Sequence, residues 1–212
     1  MLSRKAITRS GRGFRMRIPS TKLDRMVECE SILEGNVALL LEHSPGVVTY
    51  REQPTRIQYW DGEQMRDYFP DFEAVLLDGT CVHLEVKHSH TLAKPKFSRK
   101  YRAIATYYQG TPIQFRIVTE LECKREPLRS NLRRLSYLRA KPTAEPLPSQ
   151  EALSRLLGDS SATLASLEAS LGATVTWRLL ALGLLLCDLT AEITPHTLVS
   201  TLEGDCHATV LF

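Results

Sequence analysis

The segment Phe69–Lys87, FPDFEAVLLDGTCVHLEVK, sets Asp71, Glu85 and Lys87 inside two apolar runs joined by Asp78-Gly79-Thr80. An Asp-Gly between apolar runs signals a β-hairpin, so Tyr68–Leu76 and Cys81–Lys87 read as paired strands. Side chains alternate between the faces of a strand. Val82, Leu84 and Val86 therefore share one face, and His83, Glu85 and Lys87 the other. Asp71 on the neighbouring strand can bring a second carboxylate to Glu85. Two hard oxygen donors of this kind suit Mg²⁺, or Mn²⁺ in its place. An ammonium beside them can reach the same water or a phosphate whose charge develops during hydrolysis. The Val86 carbonyl is a candidate further ligand. Glu34, at the edge of an apolar helical stripe, is a candidate third acid, because a carboxylate there is costly without a partner. The competing structural reading is an ordinary Glu85–Lys87 ion pair on a strand, which a D…ExK pattern also fits.

The elements that must position these residues follow from periodicity. Arg25–Glu42 has helical spacing, with Cys29, Ile32, Leu33, Val37, Leu40 and Leu41 in one stripe. Val47–Gln53 and Arg56–Trp60 read as strands. Lys94–Tyr108 reads as a helix with Phe97, Tyr101, Ile104 and Tyr108 on one side, and the two tyrosines as core. Ile113–Thr119 reads as a strand and Pro127–Leu138 as a short basic helix, Pro127 suiting a first turn. Three prolines in Lys141–Gln150 mark a linker. Beyond it, Glu151–Leu157, Ala162–Leu171 and Thr174–Leu186 read as helices, followed by one or two short strands. This gives an α/β domain over 1–140, a linker at 141–150 and a small, mainly helical, winged-helix-like domain over 151–212.

Charge is segregated along the chain. Residues 1–27 carry eight Lys/Arg against one Asp, and residues 87–141 carry fourteen against three acids. Residues 28–86 carry twelve acids against three Arg, and residues 142–212 eight acids against two Arg. The basic blocks point to a polyanion partner, with Lys94, Lys96, Arg99 and Lys100 as phosphate contacts. The acidic tail points to a protein partner. Glu28, Glu30 and Glu42 read as solvated, His88 and His90 as facing solvent or phosphate, and Arg51, Glu52 and Gln53 as supporting the site or ending a strand. The five scattered cysteines show no Cys-x-x-Cys and no finger spacing, which fits a reducing compartment rather than a zinc ribbon. The basic amino terminus lacks an apolar signal core, and the longest apolar run, Leu179–Cys187, is too short for a bilayer span. A cytoplasmic location is the expectation.

The ordered segments SILEGNVALLLEH, VVTYREQP, FPDFEAVLLDG, HLEVK and FRIVTE resemble the PD-(D/E)xK nuclease superfamily and, within it, the TnsA family over about residues 15–140. The resemblance implies a restriction-endonuclease-like mixed sheet flanked by helices. It also implies a Mg²⁺-dependent endonuclease that cuts the 5′ ends of a transposon, alongside a DDE-type TnsB-like transposase that cuts the 3′ ends. The C-terminal domain would contact an AAA+ TnsC-like regulator. By position Glu34 matches the helix acid, Asp71 the central aspartate, Glu85 the second acid, where some members carry Gln, and Lys87 the lysine. Some relatives belong to CRISPR-associated elements, a subtype that this sequence does not distinguish. Two rival functions use the same fold: a stand-alone restriction or repair nuclease, and a non-catalytic DNA-bridging adaptor.

Overall fold

The computed structural model describes residues 16–140, 146–157 and 161–201. Most of the first basic block, half of the expected linker and the end of the acidic tail with Cys206 lie outside these. The chain divides into two compact units. One comprises the residues up to Glu42 with Gly46–Lys124; the other comprises His43–Pro45 with Arg125 onward.

The first unit opens with β1 (Met16–Ser20) and β2 (Arg25–Cys29), an antiparallel pair with Ile18 opposite Val27. Arg25–Cys29 was expected to be helical. It is a strand, because Val27 and Cys29 alternate into the core while Met26 and Glu28 lie on the other, more open face. The helix proper is α1 (Ile32–His43). Its start is set by Ser31, whose Oγ accepts from the Glu34 N–H at 3.1 Å, a Ser-x-x-Glu capping arrangement that the stripe of apolar residues obscured. Val37, Ala38, Leu40 and Leu41 are fully buried, so beyond its first turn α1 is buried around its circumference rather than along one stripe.

Next come β3 (Val47–Glu52), the hairpin β4 (Ile57–Trp60) with β5 (Met65–Tyr68), then β6 (Phe72–Leu76) and β7 (Cys81–Val86). Gly79 has φ 83°, a conformation that favours glycine, and the Thr80 N–H donates to Asp78 Oδ1 at 2.8 Å. That turn fixes the β6–β7 register, with Phe72 opposite Leu84 and Glu73 opposite His83. After β7 the chain crosses through α2 (Ser89–Leu92) and α3 (Pro95–Gln109) to β8 (Gln114–Val118), which lies parallel to β7. The central sheet is four-stranded and mixed, in the order β3-β6-β7-β8. β7 therefore has a neighbour on each side, and both its faces are covered: Val82, His83, Leu84, Glu85 and Val86 are all buried. α3 presents Tyr101, Ile104 and Tyr108 inward, packed with Ile57, Tyr59 and Tyr68 of the β4–β5 hairpin. A short α4 (Glu120–Cys123), started by a Thr119–Glu122 capping box, ends the unit.

The second unit contains α5 (Leu128–Ala140), α6 (Gln150–Leu157), β9 (Ala162–Thr163), α7 (Leu164–Leu171), α8 (Ala173–Leu182) and β10 (Leu198–Val199). The reading put α5 before the linker, with residues 1–140. Its partners lie in the second unit: Asn131 Nδ2 donates to the Leu189 and Ala191 carbonyls at 2.9 Å, and Arg139 Nε to the Ala181 carbonyl at 2.8 Å. Arg134 stacks 3.4 Å from the Trp177 ring centroid. The two short strands pair antiparallel. One of them, β10, follows the helices in the stretch expected to give one or two short strands, and the other, β9, precedes α7. The last helix stops at Leu182, where Gly183 takes φ 73° as a left-handed cap, four residues before the expected end. No helix among the described residues is long and apolar enough to cross a membrane.

Candidate active site

Asp71 sits at the entrance to β6 and is tied on three sides. Its N–H donates to the Leu84 carbonyl at 2.9 Å, and its own carbonyl accepts from the Gln53 N–H at 2.9 Å. Its Oδ2 accepts from the Val86 N–H at 2.7 Å. Gln53 reaches Asp71 from a left-handed backbone conformation, φ 43°, at the end of β3. Val86 thus meets the central aspartate through its amide.

Glu85 is 3 % exposed, which for a carboxylate demands partners. Tyr68 donates to its Oε2 at 2.6 Å, and Tyr101 donates to its Oε1. Lys87 Nζ lies 3.1 Å from that same Oε1. The strand end is held as well, the Lys87 N–H donating to the Val118 carbonyl at 3.1 Å. Glu34 lies in the first turn of α1, where its carboxylate accepts from the Glu30 N–H at 2.7 Å and from Ser31 Oγ at 2.9 Å.

These four side chains form one electrostatic group. Burial first, then repulsion from Glu85 and Glu34, holds Asp71 well above the usual carboxylate range. Burial likewise raises Glu34 against the hydrogen bonds it accepts, and Lys87 pulls it back. Burial pulls the Lys87 ammonium down, but Glu85, Asp71 and Glu34 together outweigh that and raise it, so Lys87 stays protonated at neutral pH. Burial and the Glu85 charge push both tyrosine phenols up, which keeps them as donors. A site with crowded, mutually repelling oxygen donors and one fixed cation is chemically suited to a hard divalent cation.

The residues expected at phosphates lie at the start of α3. Lys94 is its N-cap, and Lys94, Lys96 and Arg99 are exposed. Lys100 differs: its Nζ lies 5.2 Å from the Tyr68 ring centroid and 5.1 Å from that of Tyr101, over the two rings that hold Glu85. His88 and His90 stack on each other at 5.3 Å, and His88 Nδ1 is 3.3 Å from Glu120 Oε2.

Of the REQ residues, Gln53 supports the site, whereas Glu52 accepts both guanidinium nitrogens of Arg25 at 2.6 Å and Arg51 pairs with Glu73 at 2.8 Å. Glu42 was expected in solvent. It is buried, accepting from Ser20 Oγ at 2.6 Å, Thr21 Oγ1 at 2.8 Å and Tyr50 OH at 2.9 Å. Reading Tyr68 and Tyr101 as plain strand and core residues missed their hydroxyls. The available signal was a buried Glu85 that needed donors, with tyrosines able to donate from core positions.

Residues 44–120 match the TnsA-like endonuclease N-terminal domain. The TnsA-like segment spans β3 to the start of α4 and contains Asp71, Glu85, Lys87 and both tyrosines; Glu34 precedes it. No curated protein matches the chain significantly.

Proposed function

We propose that the chain is the metal-dependent endonuclease subunit of a cut-and-paste transposase, hydrolysing phosphodiester bonds at the 5′ ends of the element. The observation that carries this reading is the electrostatic group of Glu34, Asp71, Glu85 and Lys87, three of whose members fall within the TnsA-like segment. In this reading the fold is restriction-endonuclease-like, and the C-terminal unit is a winged-helix-like module that docks an AAA+ TnsC-like regulator. A DDE-type TnsB-like transposase cuts the other strand.

Glu34, Asp71 and Glu85, with the Val86 backbone, would hold Mg²⁺ or Mn²⁺. When bound, the ion supplies a more acidic water and compensation for charge on the phosphate. The chain's own groups do the rest. Tyr68 and Tyr101 fix the Glu85 carboxylate through both oxygens, and Gln53 and Val86 fix Asp71. Lys87, protonated and anchored on Glu85, is a hydrogen-bond donor rather than a base. It orients the attacking water or bears on a phosphate oxygen as its charge grows. Lys94, Lys96 and Arg99 hold flanking phosphates, and Lys100 holds one close to the tyrosine pair. Hydrolysis leaves a 5′ phosphate and a 3′ hydroxyl.

The test is strand-specific cleavage of a transposon-end duplex with Mg²⁺, by the chain alone and with its neighbouring transposase and ATPase. Cuts at 5′ ends only in the complete mixture, lost with Asp71→Ala, are expected. Efficient cutting by the chain alone points to an independent nuclease. Equal cutting by wild type and Asp71→Ala removes the catalytic assignment.

A further inference from the structure

One step along the same two strands lies a second polar cluster that the nuclease reading leaves unused. Glu73 on β6 faces His83 on β7, with Cys81 two residues earlier on the same side of β7. A ligand atom from each, the carboxylate oxygen, the imidazole nitrogen and Sγ, lies within 4.8 Å of the other two. Among the described residues this is the group of three potential metal ligands gathered so closely, and Glu34, Asp71 and Glu85 are more widely spread.

The outward-facing atoms of the cluster are already occupied. Tyr108 OH bonds His83 Nδ1 at 2.7 Å, and Arg51 pairs with Glu73 Oε1 at 2.8 Å. The inward atoms face each other: His83 Nε2 is 2.9 Å from Glu73 Oε2, and Cys81 Sγ lies within 4.8 Å of a ligand atom of each. Metal-ligating histidines and carboxylates are commonly oriented in this way by a hydrogen bond on the atom that does not ligate. His83 is fully buried, which fixes its ring, while Cys81 and Glu73 remain partly open to solvent and leave a route in.

We propose that Glu73, Cys81 and His83 form a binding site for a zinc-class divalent transition metal, distinct from the hard-cation site. Three protein ligands of mixed sulfur, nitrogen and oxygen type suit Zn²⁺ or Co²⁺ with water in the fourth position, and a thiolate disfavours Mg²⁺. Binding releases one proton, from the Cys81 thiol. The His83 proton moves to Nδ1, where the Tyr108 oxygen accepts it, and the ligated thiolate and carboxylate together neutralise the ion.

The site is tested with the purified full chain in excess Mg²⁺, titrated with Co²⁺ and followed by absorption. A thiolate-to-cobalt charge-transfer band saturating at one equivalent and bleached by Zn²⁺ is expected. Cys81→Ser should abolish the band, and Tyr108→Phe should weaken Co²⁺ binding about tenfold, as loss of a ligand-orienting hydrogen bond does. Glu73→Gln, a shape-preserving change, should weaken it at least as much. A folded wild type with no such band overturns the proposal. So does a band of undiminished strength in Cys81→Ser, which would assign the metal to another cysteine.

Discussion

The β6–β7 hairpin carries two polar clusters on one face, separated by a single strand repeat, and they are built on opposite plans. Asp71, Glu85 and Lys87 combine mutually repelling oxygen acids with a fixed ammonium, and that repulsion calls for an outside cation. Glu73, Cys81 and His83 are drawn close, with His83 already bonded to Glu73. α3 serves both: Tyr101 bonds Glu85, and Tyr108, two turns on, bonds His83. The lesson is that a strand period of two and a helix repeat of seven can equip neighbouring sites with the same kind of donor while the strand residues alone choose the chemistry.

The comparison breaks first at Asp71. Asp71→Asn should reduce metal-dependent cleavage at least a hundredfold, since several kcal/mol of charge stabilisation are at stake. It should leave the cobalt band untouched, as gel-based cleavage and absorption on the same preparation will show. The tyrosines give a sharper division. Tyr101→Phe should weaken Mg²⁺ binding, measured by calorimetry, about tenfold and spare Co²⁺, while Tyr108→Phe should do the reverse. Parallel effects of both substitutions on both metals would mean that α3 has shifted as a whole.

The pH dependence of stability separates the clusters through their charge. Asp71 and Glu34 have folded-state values raised above those of the unfolded chain, so the native state binds more protons between the two values. The stability that these two groups contribute to the metal-free chain should therefore be fully present below the unfolded carboxylate value, about 4, and should be lost as pH rises through the elevated folded values. Asp71→Asn should flatten that decline, and Mg²⁺ should offset it, as urea melts in chelator and in Mg²⁺ will show. The smallest effect is at the periphery. Lys96→Ala should lower the slope of log affinity for DNA against log salt by about one, without altering the rate at saturating DNA.

Much of the first cluster was legible because its signals are local. Asp78-Gly79 set the hairpin, and alternation put Glu85 and Lys87 on one face. Other features depended on distant residues. Nothing near Glu42 announces Ser20, Thr21 and Tyr50, and nothing near Glu85 names Tyr68 and Tyr101 as its donors. Arg25–Cys29 was misread for a different reason. The apolar residues of α1 extend a helical spacing backwards through Cys29, although the Ser31–Glu34 cap starts the helix after it. The acidity of the tail also depended on where the unit begins. Counted from Arg125, the second unit holds eight Lys/Arg against nine acids, so charge alone no longer selects its partner.

The placement of α5 bears on how such proteins can be recombined. The TnsA-like match ends at residue 120 and the first compact unit at Lys124, whereas the proline-rich stretch that looks like a seam lies after α5. A chimera joined at that stretch would separate α5 from the Trp177 and Leu189 neighbourhood it completes. A graft that exchanges the carboxy-terminal module between relatives should instead be cut just before Arg125, so that the transplanted piece keeps its own basic helix.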